Sequence, residues 1–216
     1  MSFQTTAYLR KATSRAKSDV ANKLVGMFLH EISRKICASL NLKVADSSYT
    51  NAVVAKFGGG CCYCERPLED DRASVEHLDG MNRFRAGLHM PGNVILACKK
   101  CNNEKRRDDQ LRELKLAKSG WESFLSHDST ACSSGCKTCL YWSSIWPDDT
   151  LRVQRLHESR KRIAEFRSQY TKAIRLGQKA LPSLHKELEK IYRECQTFAT
   201  SRIKEAVGKV ISRLPL

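Results

Sequence analysis

At 216 residues the chain is long enough to bury a sizeable core, and its 38 Lys+Arg against 23 Asp+Glu leave a formal charge of +15 and a pI near 9.5. That balance suits a protein that meets a polyanion, nucleic acid foremost, although a merely soluble basic surface or a contact with anionic lipid reads the same way. The opening MSFQTTAYLRKATSRAKSDV lacks the apolar core of a secretory signal, and no later run approaches the ~20 apolar residues that cross a bilayer. A cytoplasmic protein with no membrane partner is expected, and in that reducing compartment the ten cysteines point to metal ligands instead of disulfides.

Three regions follow in chain order, at 1–49, 50–147 and 148–216. In the first, Val20, Leu24, Met27, Phe28, Ile32 and Ile36 recur three to four apart and predict an amphipathic helix. The second holds the glycine-rich turns and all the cysteines except Cys37 and Cys195. Short alternations there predict strands over 73–77 and 93–97, and the run NNEKRRDDQLRELKLA after Cys101 is rich in helix formers. The third is helical and basic, with 16 Lys/Arg against 6 Asp/Glu in 151–216. Leu181-Pro182 is expected to split it into two helices, and its leucine and isoleucine stripe to serve packing or a dimer seam. The fold class expected is α+β: a strand–strand–helix core flanked by N- and C-terminal helices.

Two C-x-x-C pairs dominate the centre, Cys61 and Cys64 in GCCYC and Cys98 and Cys101 in CKKCNNEK. Four thiolates at about 2.3 Å make a closed tetrahedral Zn2+ site, with Cys62 pointing elsewhere. An ion saturated in this way has no position for water, so it is a structural staple and the chemistry passes to Glu76, His77, Asn93 and Asn102. A neutral imidazole near its reference pKa of ~6.5 can take a proton from water at neutral pH. Glu76 alternates with His77 on the strand and starts on the opposite face, unless a turn at Leu78-Asp79-Gly80 brings it round.

The order C-x-x-C, Glu-His, Asn, C-x-x-C-Asn-x-x-Lys over Gly58 to Arg107 resembles the HNH endonucleases, whose core is the ββα-metal finger. The resemblance implies a nuclease that hydrolyses DNA phosphodiester bonds, with a catalytic Mg2+ or Mn2+ beside the structural zinc. It implies His77 as general base, Asn93 as a loop brace, Asn102 as a ligand of the catalytic ion, and Glu76 in the acidic slot that also binds it. It also suggests a setting in bacterial restriction or phage defence, with a partner ATPase or another defence protein. Lys105 lies one helical turn beyond Asn102 and would hold a phosphate; Arg83, Arg85, Arg106 and Arg107 are candidate backbone contacts or plain solvated charges. A zinc-stabilised DNA-binding module without catalysis and an RNA-cleaving nuclease of the same fold are the alternatives. The residue pattern leaves a homodimer open.

Outside that pattern, CSSGCKTC places Cys132, Cys136 and Cys139 close together. The spacing matches cluster-binding loops of radical S-adenosylmethionine enzymes, but the chain has no room for their barrel. A second zinc, completed by His127 or Cys195, stands against three reduced thiols packed beside Trp142 and Trp146. His89 is expected on the surface, Gly58 to Gly60 in a tight turn, and Trp121, Phe124, Trp142 and Trp146 in the core.

Overall fold

The computed structural model describes residues 5–69, 72–112, 120–127 and 132–213. Its centre is a two-stranded antiparallel sheet, β1 (Ala73–His77) and β2 (Val94–Cys98), in which Glu76 faces Ile95 and His77 faces Val94. Helix α3 (Lys99–Arg112) leaves from the end of β2 without a connecting loop. Around this strand–strand–helix unit lie α1 (Thr5–Ser39), α2 (Ser47–Phe57), α4 (Gly120–Phe124), α5 (Lys137–Ile145), α6 (Asp149–Ser168) and α7 (Thr171–Ile211), so the class is α+β. Among the described residues no helix is long and apolar enough to cross a membrane.

Helix α6, the first of the basic C-terminal helices, is no appendage. Leu156, Ile163 and Phe166 of α6 are buried in one cluster with Tyr63 and the Cys61 to Cys64 knuckle, Leu78, Ile95, Trp121, Phe124 and Trp142. Burying such side chains contributes roughly 1.5–3 kcal/mol each, so α6 is as much part of the central core as the sheet. Glu65, just past the knuckle, adopts a left-handed conformation (φ 63°). Its carboxylate accepts from Arg155 at 3.0 Å and from Arg162, both on α6, offsetting a backbone choice that usually falls to glycine.

A second cluster joins α1, α7 and the segment between the strands through Val25, Leu29, Leu88, Met90, Leu184 and Leu188. The face α1 buries is rotated from the expected one: Phe28, Ile32 and Ile36 pack against this cluster as expected, but the fully buried line lies beside them. Ala21, Val25, Leu29, Ser33 and Cys37 are inside, four apart, whereas Val20, Leu24 and Met27 are 49%, 41% and 66% exposed. Small Ala21 and Ser33 let α1 approach closely, and Ser33 Oγ donates to Leu29 O at 2.5 Å. The break expected at Leu181-Pro182 is also absent. The helices divide at Gln169-Tyr170, and Pro182 lies inside a continuous α7. Its ring faces solvent while Leu181 and Leu184 pack on α1, so tertiary burial outweighs the lost backbone bond.

Candidate active site

Among its described side chains, helix α3 carries no aliphatic stripe toward the sheet. Its buried positions are Cys101, Lys105 and Asp108, spaced four and three apart on one face. Each finds a specific partner, because burying such groups without one costs several kcal/mol. Lys105 donates to Glu76 Oε1 and to His77 O, the latter at 2.6 Å, and Tyr63 Oη donates to the same Glu76 oxygen at 3.1 Å. Glu76 is 1% exposed, and burial raises its pKa against the pull of the Lys105 ammonium. Glu76 and Lys105 therefore tie α3 to β1 in the interior. The carboxylate is not turned toward an open ion site, and the ammonium is not free for a phosphate.

Asn102 sits one turn earlier on α3. Its amide nitrogen donates to Ser74 Oγ at 2.6 Å, which leaves the amide oxygen as the end that would meet a cation.

His77 ends β1 on the opposite face from Glu76, as strand alternation requires. Its Nε2 lies 3.0 Å from His89 Nδ1, and the His89 ring is 5.0 Å from that of His30 on α1. His89 is thus not a plain surface histidine; its backbone N–H is also held, by Ser33 Oγ at 2.8 Å. Burial, then the neighbouring His89, Lys105 and His30, lower the His77 pKa to about 3. The imidazole is therefore neutral at physiological pH. His30 has no signature in local sequence, since α1 reaches the site only through tertiary packing.

Asn93 spans the segment between the strands. Its Oδ1 accepts from Asp79 N at 2.7 Å, and its Nδ2 donates to Leu88 O at 2.7 Å and to Asp79 O at 3.2 Å. Arg167 of α6 reinforces it from behind, donating to Asp79 Oδ2 at 2.7 Å and to Gly92 O at 3.2 Å. Gly87 is obligatory here, because a Cβ would stand 1.6 Å from Asp79 O.

The arginines divide. Arg83 is held by Glu189 at 3.1 Å and lies 4.1 Å from the ring centres of both Phe84 and Tyr192, which makes it a strut to α7. Arg107 is tied to Glu104 and to Thr138. Arg85 lines a cleft between the inter-strand segment and α7. Arg106 stands exposed with Asn103 as its partner, able to swing toward a polyanion.

Among the described residues, two groups of side chains have metal-ligand geometry. Cys61, Cys64, Cys98 and Cys101 present their sulfurs within 4.8 Å of one another, as do the ligand atoms of His127, Cys132, Cys136 and Cys139. In the first group Cys64 and Cys98 are 3.8 Å apart, the sulfur–sulfur edge of a tetrahedron whose metal–sulfur bonds are about 2.3 Å. Cys62 is fully buried with its thiol beside that of Cys61 but is not one of the four, and Cys195 stands on α7 outside both groups.

Residues 61–108 match the family model described as HNH endonuclease. No curated protein and no solved structure matches the chain.

Proposed function

We propose, on the premise that residues 61–108 form an HNH endonuclease domain, that the chain is a metal-dependent endonuclease hydrolysing phosphodiester bonds in DNA, with His77 as general base. The observation that carries this is the His77 imidazole, hydrogen-bonded to His89 at 3.0 Å beside a segment that Asn93 ties together through Asp79 and Leu88. With Nε2–H donating to His89, the other ring nitrogen is left to take the proton of a water attacking phosphorus. His89 orients the ring. A hard divalent ion, Mg2+ or Mn2+, would neutralise the phosphoryl oxygens and the departing 3′-alkoxide, and the Asn102 oxygen is its ligand in this reading. The four-cysteine cluster holds structural zinc.

Arg106 and the excess of basic side chains in α6 and α7 supply sequence-independent phosphate contacts. A role in bacterial restriction or phage defence is part of the proposal through the family resemblance, and phage challenge of cells carrying wild-type or His77→Ala protein tests it.

The biochemical test is cleavage of plasmid, single-stranded DNA and RNA with Mg2+ or Mn2+. His77→Ala is expected to bind DNA unchanged while cleaving roughly 10²-fold more slowly. One observation favours a second reading, a non-catalytic DNA-binding module: the only acid beside His77 on β1 is sequestered by Lys105. DNA binding without cleavage in either metal would establish that module, and cleavage of RNA alone would move the substrate.

A further inference from the structure

We propose that His127, Cys132, Cys136 and Cys139 bind a second zinc ion, and that Asp108 and Tyr141 cross-link the two metal sites through α3 and α5. This goes beyond the nuclease reading and stands without it.

The ligand geometry comes first. His127 Nδ1 lies 3.3 Å from the Cys132 sulfur, 3.2 Å from that of Cys136 and 3.9 Å from that of Cys139. A tetrahedral zinc with Zn–S of about 2.3 Å and Zn–N of about 2.0–2.1 Å places nitrogen and sulfur roughly 3.6 Å apart. One imidazole nitrogen at that spacing from three separate thiols is not how reduced cysteines pack. Neutral thiols are weak donors and acceptors, with no reason to converge on a single nitrogen.

The other imidazole nitrogen supplies an independent observation. His127 is 1% exposed, and its Nε2 lies 3.0 Å from Asp108 Oδ1. Thr138 donates to the same carboxylate oxygen at 3.0 Å. A carboxylate behind a histidine fixes the tautomer that leaves the opposite nitrogen as a metal ligand, the usual outer-shell partner of a zinc-bound imidazole. Asp108 is itself buried, so the arrangement is built into the core.

The same pattern runs in reverse at the first site. Tyr141 Oη lies 3.0 Å from the Cys101 sulfur, placed to donate to a zinc-bound thiolate. Helix α3 therefore gives a ligand, Cys101, to the first ion and an orienting group, Asp108, to the second. Helix α5 gives Cys139 to the second and Tyr141 to the first. The buried face of α3, with no aliphatic residue among its described inward positions, acquires an explanation: Cys101 and Asp108 are both answered by metal sites.

Metal analysis of the purified full chain tests the proposal. Two zinc per chain are expected in the wild type and one in Cys136→Ser/Cys139→Ser. One zinc in the wild type that persists in the double variant overturns the second site. X-ray absorption at the zinc edge of the wild type keeps the question answerable if that variant fails to fold: an averaged shell between four sulfurs and three sulfurs plus one nitrogen supports the site, and pure sulfur coordination overturns it. For the cross-link, Asp108→Asn and Tyr141→Phe are each expected to weaken one zinc by about 10–100-fold in competition with a chromophoric chelator. Asp108→Asn is expected to act on the second ion and Tyr141→Phe on the first. Wild-type affinities in both variants would remove the cross-link.

Discussion

The two thiol clusters share a tetrahedral spacing and differ in what surrounds them. Cys61, Cys64 and Cys101 are each 4% exposed or less, inside the central core, whereas Cys132, Cys136 and Cys139 are half-buried at its edge, with His127 alone enclosed. The first cluster stands where a small domain would otherwise need more apolar side chains, and it joins the knuckle to the end of β2 and the start of α3. The second fastens one helix to another. Equal coordination chemistry therefore carries unequal structural weight, set by the company of the ligands and not by the ion.

The largest expected effect sharpens that contrast. Cys61→Ser/Cys64→Ser should abolish cooperative folding, since structural zinc contributes apparent free energies of about 10–16 kcal/mol in small domains. Cys136→Ser/Cys139→Ser should leave the far-ultraviolet dichroism largely intact. Equal loss of structure in the two variants would break the comparison.

Next is the polar tie between them on α3. Lys105→Met leaves the buried Glu76 carboxylate without its cation and is expected to cost about 3–5 kcal/mol in chemical denaturation, while Glu76→Gln/Lys105→Met should recover part of it. A loss under about 1 kcal/mol would mean the pair is not buried in solution.

Asn93→Ala removes the donors and acceptor that serve Asp79 and Leu88, and is expected to cost about 1–3 kcal/mol. It should slow cleavage beyond what the fraction unfolded explains, read by kcat under conditions where the variant is fully folded.

The smallest effect is expected from truncation after Gln196. Phe198, Ile203, Val207, Val210 and Ile211 are 47–68% exposed, so stability should change by less than about 1 kcal/mol. Every phosphate that this segment neutralises adds ~0.9 to the log–log salt slope of DNA binding, and the truncated chain should show a slope smaller by that amount. A drop in mass by light scattering would instead assign these side chains to a second copy of the chain.

How much of this is legible in sequence depends on range. The C-x-x-C pairs, the strands and the strand–strand–helix order are local, and spacing alone displays them. The buried α1 face escapes an apolar pattern because its inward positions include Ala21, Ser33 and Cys37, while Leu24 and Met27 project outward. Pro182 is a true local signal that long-range packing overrides. The partners of α3 are invisible for a different reason: Glu76, His127 and Tyr141 lie far along the chain from Lys105, Asp108 and Cys101, and a charged run gives no sign of facing inward until its counterparts are placed. Arg83 shows the converse, a surface-like charge drawn between Phe84 and Tyr192.

The position of α6 sets how late in synthesis the central core can close. Phe166 and Ile163 close the core over the knuckle, and Arg167 reaches back to Asp79 and Gly92, so a nascent chain that ends before them has every thiol of the first cluster and His77 but no complete hydrophobic enclosure for them. The strands beside His77 gain their full support only when the C-terminal helices are being made. Premature termination products would then lack the packing that holds β1 and His77 in place.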